Sequence, residues 1–112
     1  MYGFNEAIPF KHLIGLTMTQ ICVGANEIIL RFEDNSAILV QSLNQFLSDN
    51  RLEVAEGRIL LPLGLGEVVE ECFIVSNRCV KITFGRNSLL LSDDSDQFES
   101  IVFELAGSRY VI

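Results

Sequence analysis

The ten residues RFEDNSAILV, Arg31 to Val40, are echoed by TFGRNSLLLS, Thr83 to Ser92; Phe32, Asn35, Ser36 and Leu39 recur 52 residues later as Phe84, Asn87, Ser88 and Leu91. No other feature restricts the possible folds as much. The stretch leading into the first copy places Ile28, Leu30 and Phe32 on one face and Glu27, Arg31 and Glu33 on the other, with Ile29 the exception. Val80, Ile82 and Phe84 repeat the pattern in CVKITF, where Lys81 and Thr83 face away. Alternation with a period of two is the mark of a half-buried strand. Asp34-Asn35 and Arg86-Asn87 stand where the turns belong, because Asn tolerates the positive φ of tight hairpin loops.

Each hairpin is preceded by a further apolar segment, MTQICV in the first copy and VVEECFIV in the second. Gly24-Ala25-Asn26 and Ser76-Asn77-Arg78 supply the turns between, and Gly15, Gly64 and Gly66 lie just upstream. A three-strand meander buries one face only and is marginal in water. Two meanders covering each other remove that difficulty, so the expected fold is all-β: two three-stranded pseudo-repeats, Met18 to Gln41 and Val68 to Ser92, in a β-sandwich or partly open barrel with at most one or two short helices. The 112 residues fit one domain, with pseudo-repeats at about 13–41 and 63–92, a crossover over 42–62 and a C-terminal hairpin over 98–112. Ser42 to Asp49 reads equally as a short helix with Leu43, Phe46 and Leu47 inward or as an irregular crossover. RLEVAEGRILL reads as a short hairpin turning near Glu56-Gly57. The expected core contains Ile21, Ile28, Leu30, Phe32, Ile38, Val80, Ile82, Phe84, Leu90 and Phe103.

The formal charge of -7 and pI near 4.5 argue against nucleic acid as a direct partner, since phosphate binding draws on clustered Lys and Arg. The excess of acid runs through the chain, and its densest block is DDSDQFES, with Asp93, Asp94, Asp96 and Glu99. Such a field favours cationic partners and solubility. No run reaches the ~18 apolar residues of a membrane span, and the start lacks the basic and apolar regions of a secretory signal, so no membrane is expected and the cytoplasm is the expected location. Cys22, Cys72 and Cys79, odd in number and on strand-like runs, read as reduced core residues.

Little in the chain suggests covalent chemistry. His12 is the only histidine, and no spacing pairs it with a cysteine. Cys72 and Cys79 are seven apart, without a CxxC or HxxxH pair, so neither metal nor cofactor is expected. LGLGEVV lacks the GxGxxG order of a phosphate loop. Glu70 and Glu71 adjoin in a strand, which sends them to opposite faces unless a bulge keeps both in water. DDSDQFE lacks the order and the glycine of a calcium loop. The expectation is a protein that is not an enzyme. Its candidate partner-binding residues are Asp93, Asp94, Asp96 and Glu99, followed by Glu33 and Asp34 at the first hairpin tip.

LIGLTMTQICVGANEIILRFEDNSAILVQS, the second GEVVEECFIVSNRCVKITFGRNSLLLS and the closing DDSDQFES resemble a family of small bacterial β-rich proteins found beside polymorphic toxins. In particular, the chain resembles immunity proteins of contact-dependent growth inhibition systems. That resemblance implies a protein that binds and blocks the toxin domain of a sibling cell, a cationic nuclease of the tRNase type, at its active site or an exosite. Asp34-Asn35-Ser36 departs from the Asp-Gly or Asn-Gly expected at such hairpins. A small-molecule-binding β-barrel or a structural subunit is the alternative.

Overall fold

The computed structural model describes residues 8–50, 54–55, 58–59, 65–76, 79–85, 87–92 and 101–111. The fold is mostly β. After a 3-10 turn at Phe10–Leu13 come β1 (Met18–Val23), β2 (Ile28–Phe32) and β3 (Ala37–Val40), a helix α1 (Leu43–Asp49), and a small pair β4 (Val54–Ala55) and β5 (Arg58–Ile59). The second meander is β6 (Val69–Ser76), β7 (Cys79–Phe84) and β8 (Asn87–Ser92), and the chain continues through β9 (Ile101–Leu105) and β10 (Ser108–Val111). The sheets are antiparallel, one five-stranded in the order β1-β2-β3-β9-β10 and one three-stranded in the order β6-β7-β8. They do not close into a barrel. Ile28, Leu30, Phe32 and Ile38 from the larger sheet share one hydrophobic cluster with Val80, Ile82, Phe84 and Leu89 from the smaller.

Two expected core residues are only half-buried, and each has a local cause. Ile21 lies on β1, at the rim of its sheet. Leu90 is displaced by turn geometry. In the first hairpin Asn35 N–H donates to Phe32 C=O (3.1 Å) and Phe32 N–H to Ser36 C=O (2.9 Å), which leaves Glu33, Asp34 and Asn35 as the loop, with Asn35 at φ 70°. This is the three-residue hairpin loop that ends on a left-handed residue. In the second hairpin Phe84 pairs directly with Asn87. The second loop is one residue shorter, so Ile38 corresponds in space to Leu89, not to Leu90, and Leu89 and Leu91 take the core positions. Asn35 and Asn87, matched by spacing, therefore do different work: one turns the chain and the other begins a strand.

Between the meanders, α1 settles the crossover as a helix at its start, with Phe46 fully buried, and β4 pairs with β5, while the turn expected at Glu56-Gly57 lies outside the described residues. Glu70 and Glu71 both face water because the register of β6 slips between Val69 and Glu71. The same slip occurs in β1 between Met18 and Gln20, opposite the corresponding residues of β2.

Where the two sheets meet, Thr17 and Val68 form an isolated antiparallel bridge. Four backbone bonds surround it in matched pairs. Met18 N–H donates to Glu67 C=O (3.1 Å) as Val69 N–H does to Leu16 C=O (2.8 Å); Gly66 N–H donates to Met18 C=O (2.8 Å) as Gly15 N–H does to Val69 C=O (2.8 Å). Each member of a pair lies 51 residues from its counterpart. The ribbon thus carries a local pseudo-twofold axis through Thr17 and Val68. The arms beyond the meanders cross over this axis as well: β9 pairs with β3, and the Asn50 side chain that follows α1 bonds both Leu90 N–H (2.7 Å) and Leu90 C=O (3.0 Å) on β8.

Candidate protein-binding surface

Of the candidate residues, Asp93, Asp94, Asp96 and Glu99 lie outside the described residues. Glu33 and Asp34 are described, and local chemistry fixes both. The Asp34 carboxylate accepts from Ser36 N–H at 2.9 Å, an Asx turn that helps set the left-handed residue between them. Its other oxygen receives His12 Nε2 at 2.6 Å. An ionised carboxylate only accepts, so Nε2 carries the hydrogen, and the contact becomes an ion pair whenever His12 is protonated. Partial burial works to raise the Asp34 pKa, but the hydrogen bonds from Ser36 and the contact with His12 outweigh it and hold the carboxyl below its ordinary 3.8. Glu33 is bound twice to one residue: its N–H donates to Thr17 C=O (3.0 Å) and its Oε1 accepts from Thr17 N–H (3.1 Å). The hairpin tip is therefore clasped to the segment before β1 and to the 3-10 turn.

These bonds consume part of what the two acids could offer a partner. Asp34 already faces a potential cation, and one Glu33 oxygen is occupied. Both residues nonetheless reach solvent, with the Asp34 side chain 30% accessible. Beside the tip, Asp34, Asn35 and Ser36 face Glu104, Gly107, Ser108 and Arg109 across a concavity of about 350 Å³. With Arg109 beside Glu104 and across from Asp34, its charge is mixed.

Cys22, Cys72 and Cys79 are free thiols. Burial alone pushes the Cys72 pKa up to about 12, so at neutral pH it is a protonated thiol without nucleophilic character. A second, more apolar concavity of about 610 Å³ lies between Ile8, Pro9, Phe10 and Lys11 on one side and Cys72, Phe73 and Ile74 on the other. Among the described residues no three His, Cys, Asp or Glu side chains gather as metal ligands, and no helix is long and apolar enough to cross a membrane. No family model, no curated protein and no solved structure matches this chain.

Two features of the surface escaped sequence reasoning. The pairing of His12 with Asp34 spans 22 residues and leaves no trace in spacing. The exposure of Ile14, Leu65 and Val68, each more than two-fifths accessible, is equally hidden, because residue type alone does not say which apolar side chains near a strand end stay outside.

Proposed function

We propose that the protein is an immunity protein: it binds a cationic toxin domain, a nuclease of the tRNase type, in the cytoplasm and blocks it at its active site or an exosite without chemistry of its own. The observation that supports this reading most is the net charge of -7 joined to a hairpin tip whose carboxylates are held in place before any partner arrives. Ordered acids lose little further freedom on binding, and a negative field speeds encounter with a basic surface. Asp93, Asp94, Asp96 and Glu99 supply the strongest local field, and Glu33 and Asp34 a second one. A barrel holding a small ligand needs an interior left unfilled; among the described residues Phe46, Phe84 and Phe103 are buried in the interior, and the two concavities described above open at the surface.

The test begins with the reading frame next to this chain's gene, which the immunity role expects to end in a basic C-terminal domain, and consists in capture of that domain. The purified domain should bind with an association rate that falls steeply between ~50 and ~200 mM salt, and neutralising Asp93, Asp94, Asp96 and Glu99 together should slow association and flatten that dependence. Cells producing the domain should survive only with this protein. If the domain does not bind and growth is not restored, the immunity reading is lost.

A further inference from the structure

The pseudo-twofold ribbon carries an apolar surface that the fold itself does not use. Leu13 C=O accepts from Leu16 N–H (3.1 Å) in a turn where Ile14 has φ -63° and ψ 128° and Gly15 has φ 90°, the geometry of a type II turn. Fifty-one residues on, Leu65 and Gly66 again lie in a turn, with Gly66 left-handed at φ 81°. In both turns a large apolar side chain precedes the left-handed glycine and is held in water, Ile14 at 43% and Leu65 at 51%. Between them, strand alternation sends Met18 and Val69 inward and leaves Thr17 and Val68 on the outer face, where Val68 is 48% exposed. Exposed apolar residues scattered singly need no explanation, but a matched set on one axis does.

The rim of this surface is acidic. Glu33 is bonded to Thr17 itself. Glu67 lies in the ribbon, its carboxylate held by Asn87 Nδ2 at 3.2 Å. Glu70 follows Val69, and its Oε1 reaches the neighbourhood of Gly85. Among the described residues, the basic side chains of this neighbourhood are His12, already on Asp34, Lys11 of the same turn, and Arg31, exposed on β2 two residues before Glu33, so that the carboxylates still outnumber the unpaired cations. Apolar centre and carboxylate rim together select the occupant. A second copy of the chain would set like charges against each other, whereas a basic surface that presents an apolar side chain between lysines or arginines satisfies both.

We infer that the outer face of the Thr17–Val68 ribbon, with Ile14, Leu65 and Val68 at its centre and Glu33, Glu67 and Glu70 around it, is a docking surface for a basic protein segment carrying an apolar anchor. This rests on the reading of the molecule as a protein-binding partner and adds the face and the kind of contact.

The test uses the intact protein and two synthetic probes, decalysine and a decapeptide of lysines with Leu-Phe at its centre, with amide resonances followed by NMR at ~50 mM salt. The Leu-Phe peptide should bind saturably, at least tenfold more tightly than decalysine, with the largest shifts at Ile14, Thr17, Leu65 and Val68. Replacing Ile14, Leu65 and Val68 by Ser should abolish that difference while leaving the spectrum dispersed; replacing Glu33, Glu67 and Glu70 by Gln should weaken both peptides. Equal affinities, or shifts confined to another face, overturn the inference. It fails separately from the functional reading: if the neighbouring toxin domain is captured and the serine variant binds it unchanged, the immunity role stands and this surface is not its interface.

Discussion

At the scale of single residues, the clasp at Asp34 makes a pH-dependent contribution to stability. Its carboxyl titrates below the ordinary 3.8 in the folded protein. A depressed carboxyl stabilises the fold above its unfolded pKa, and that contribution disappears as pH falls through the folded value. Asp34→Ala should therefore cost about 1 kcal/mol at pH 7, in the range of one exposed charge-assisted hydrogen bond and one turn bond. The difference between the two proteins should shrink as pH falls below 3.8, as read by urea unfolding at a series of pH values. Gly15→Ala and Gly66→Ala should each cost about 1–2 kcal/mol in the same assay. A Cβ would meet nothing within 4 Å at either glycine, so the whole cost is backbone conformation, and the two values should agree closely. Cys72 should resist thiol reagents at neutral pH until the protein unfolds, since burial holds its pKa near 12.

At the scale of elements, the main concern is where each sheet stops. An edge strand presents unpaired N–H and C=O groups that invite another chain. On β3 that edge is taken by β9. On β8 the Asn50 carboxamide bonds Leu90 N–H and C=O as a strand peptide would, and it also donates to Phe46 C=O at 2.9 Å near the end of α1. One amide thus ties the helix to the sheet and blunts the edge. Asn50→Ala should cost roughly 1–3 kcal/mol, the penalty for leaving partly buried backbone groups without partners. Asn50→Asp should not restore it, because a carboxylate can accept from Leu90 N–H but repels Leu90 C=O. Thermal unfolding of the two variants beside the wild type measures both.

At the scale of the whole molecule, seven net negative charges on 112 residues set a background repulsion against which the core must hold. Screening relieves it. The midpoint of thermal unfolding should accordingly rise with sodium chloride between ~10 and ~200 mM, and each ~1 kcal/mol of relief should appear as about 4 °C. A flat or falling midpoint would mean that attractive pairs dominate the electrostatics. The core draws on both sheets: Phe84 is fully buried and Phe32 nearly so. Replacing either by Ala should cost about 3–5 kcal/mol.

The strands, their turns and the faces they bury were legible in the chain, because alternation, turn residues and the steric limits on φ act within a few residues. Ile28, Leu30 and Phe32, and again Val80, Ile82 and Phe84, point inward for that local reason alone. The choice between the two outcomes foreseen for Glu70 and Glu71, and the one-residue difference between the hairpin loops that exchanges Leu90 for Leu89 and Leu91, depended on pairing registers that side-chain type does not encode. Larger choices lay further from reach. Every sheet edge offers the same backbone groups, so nothing local says that β9 joins β3, that Thr17 meets Val68, or that His12 reaches Asp34. Those contacts were decided by the tertiary structure, where the apolar faces of both sheets had to close over one interior. That closure left Ile14, Leu65 and Val68 outside it.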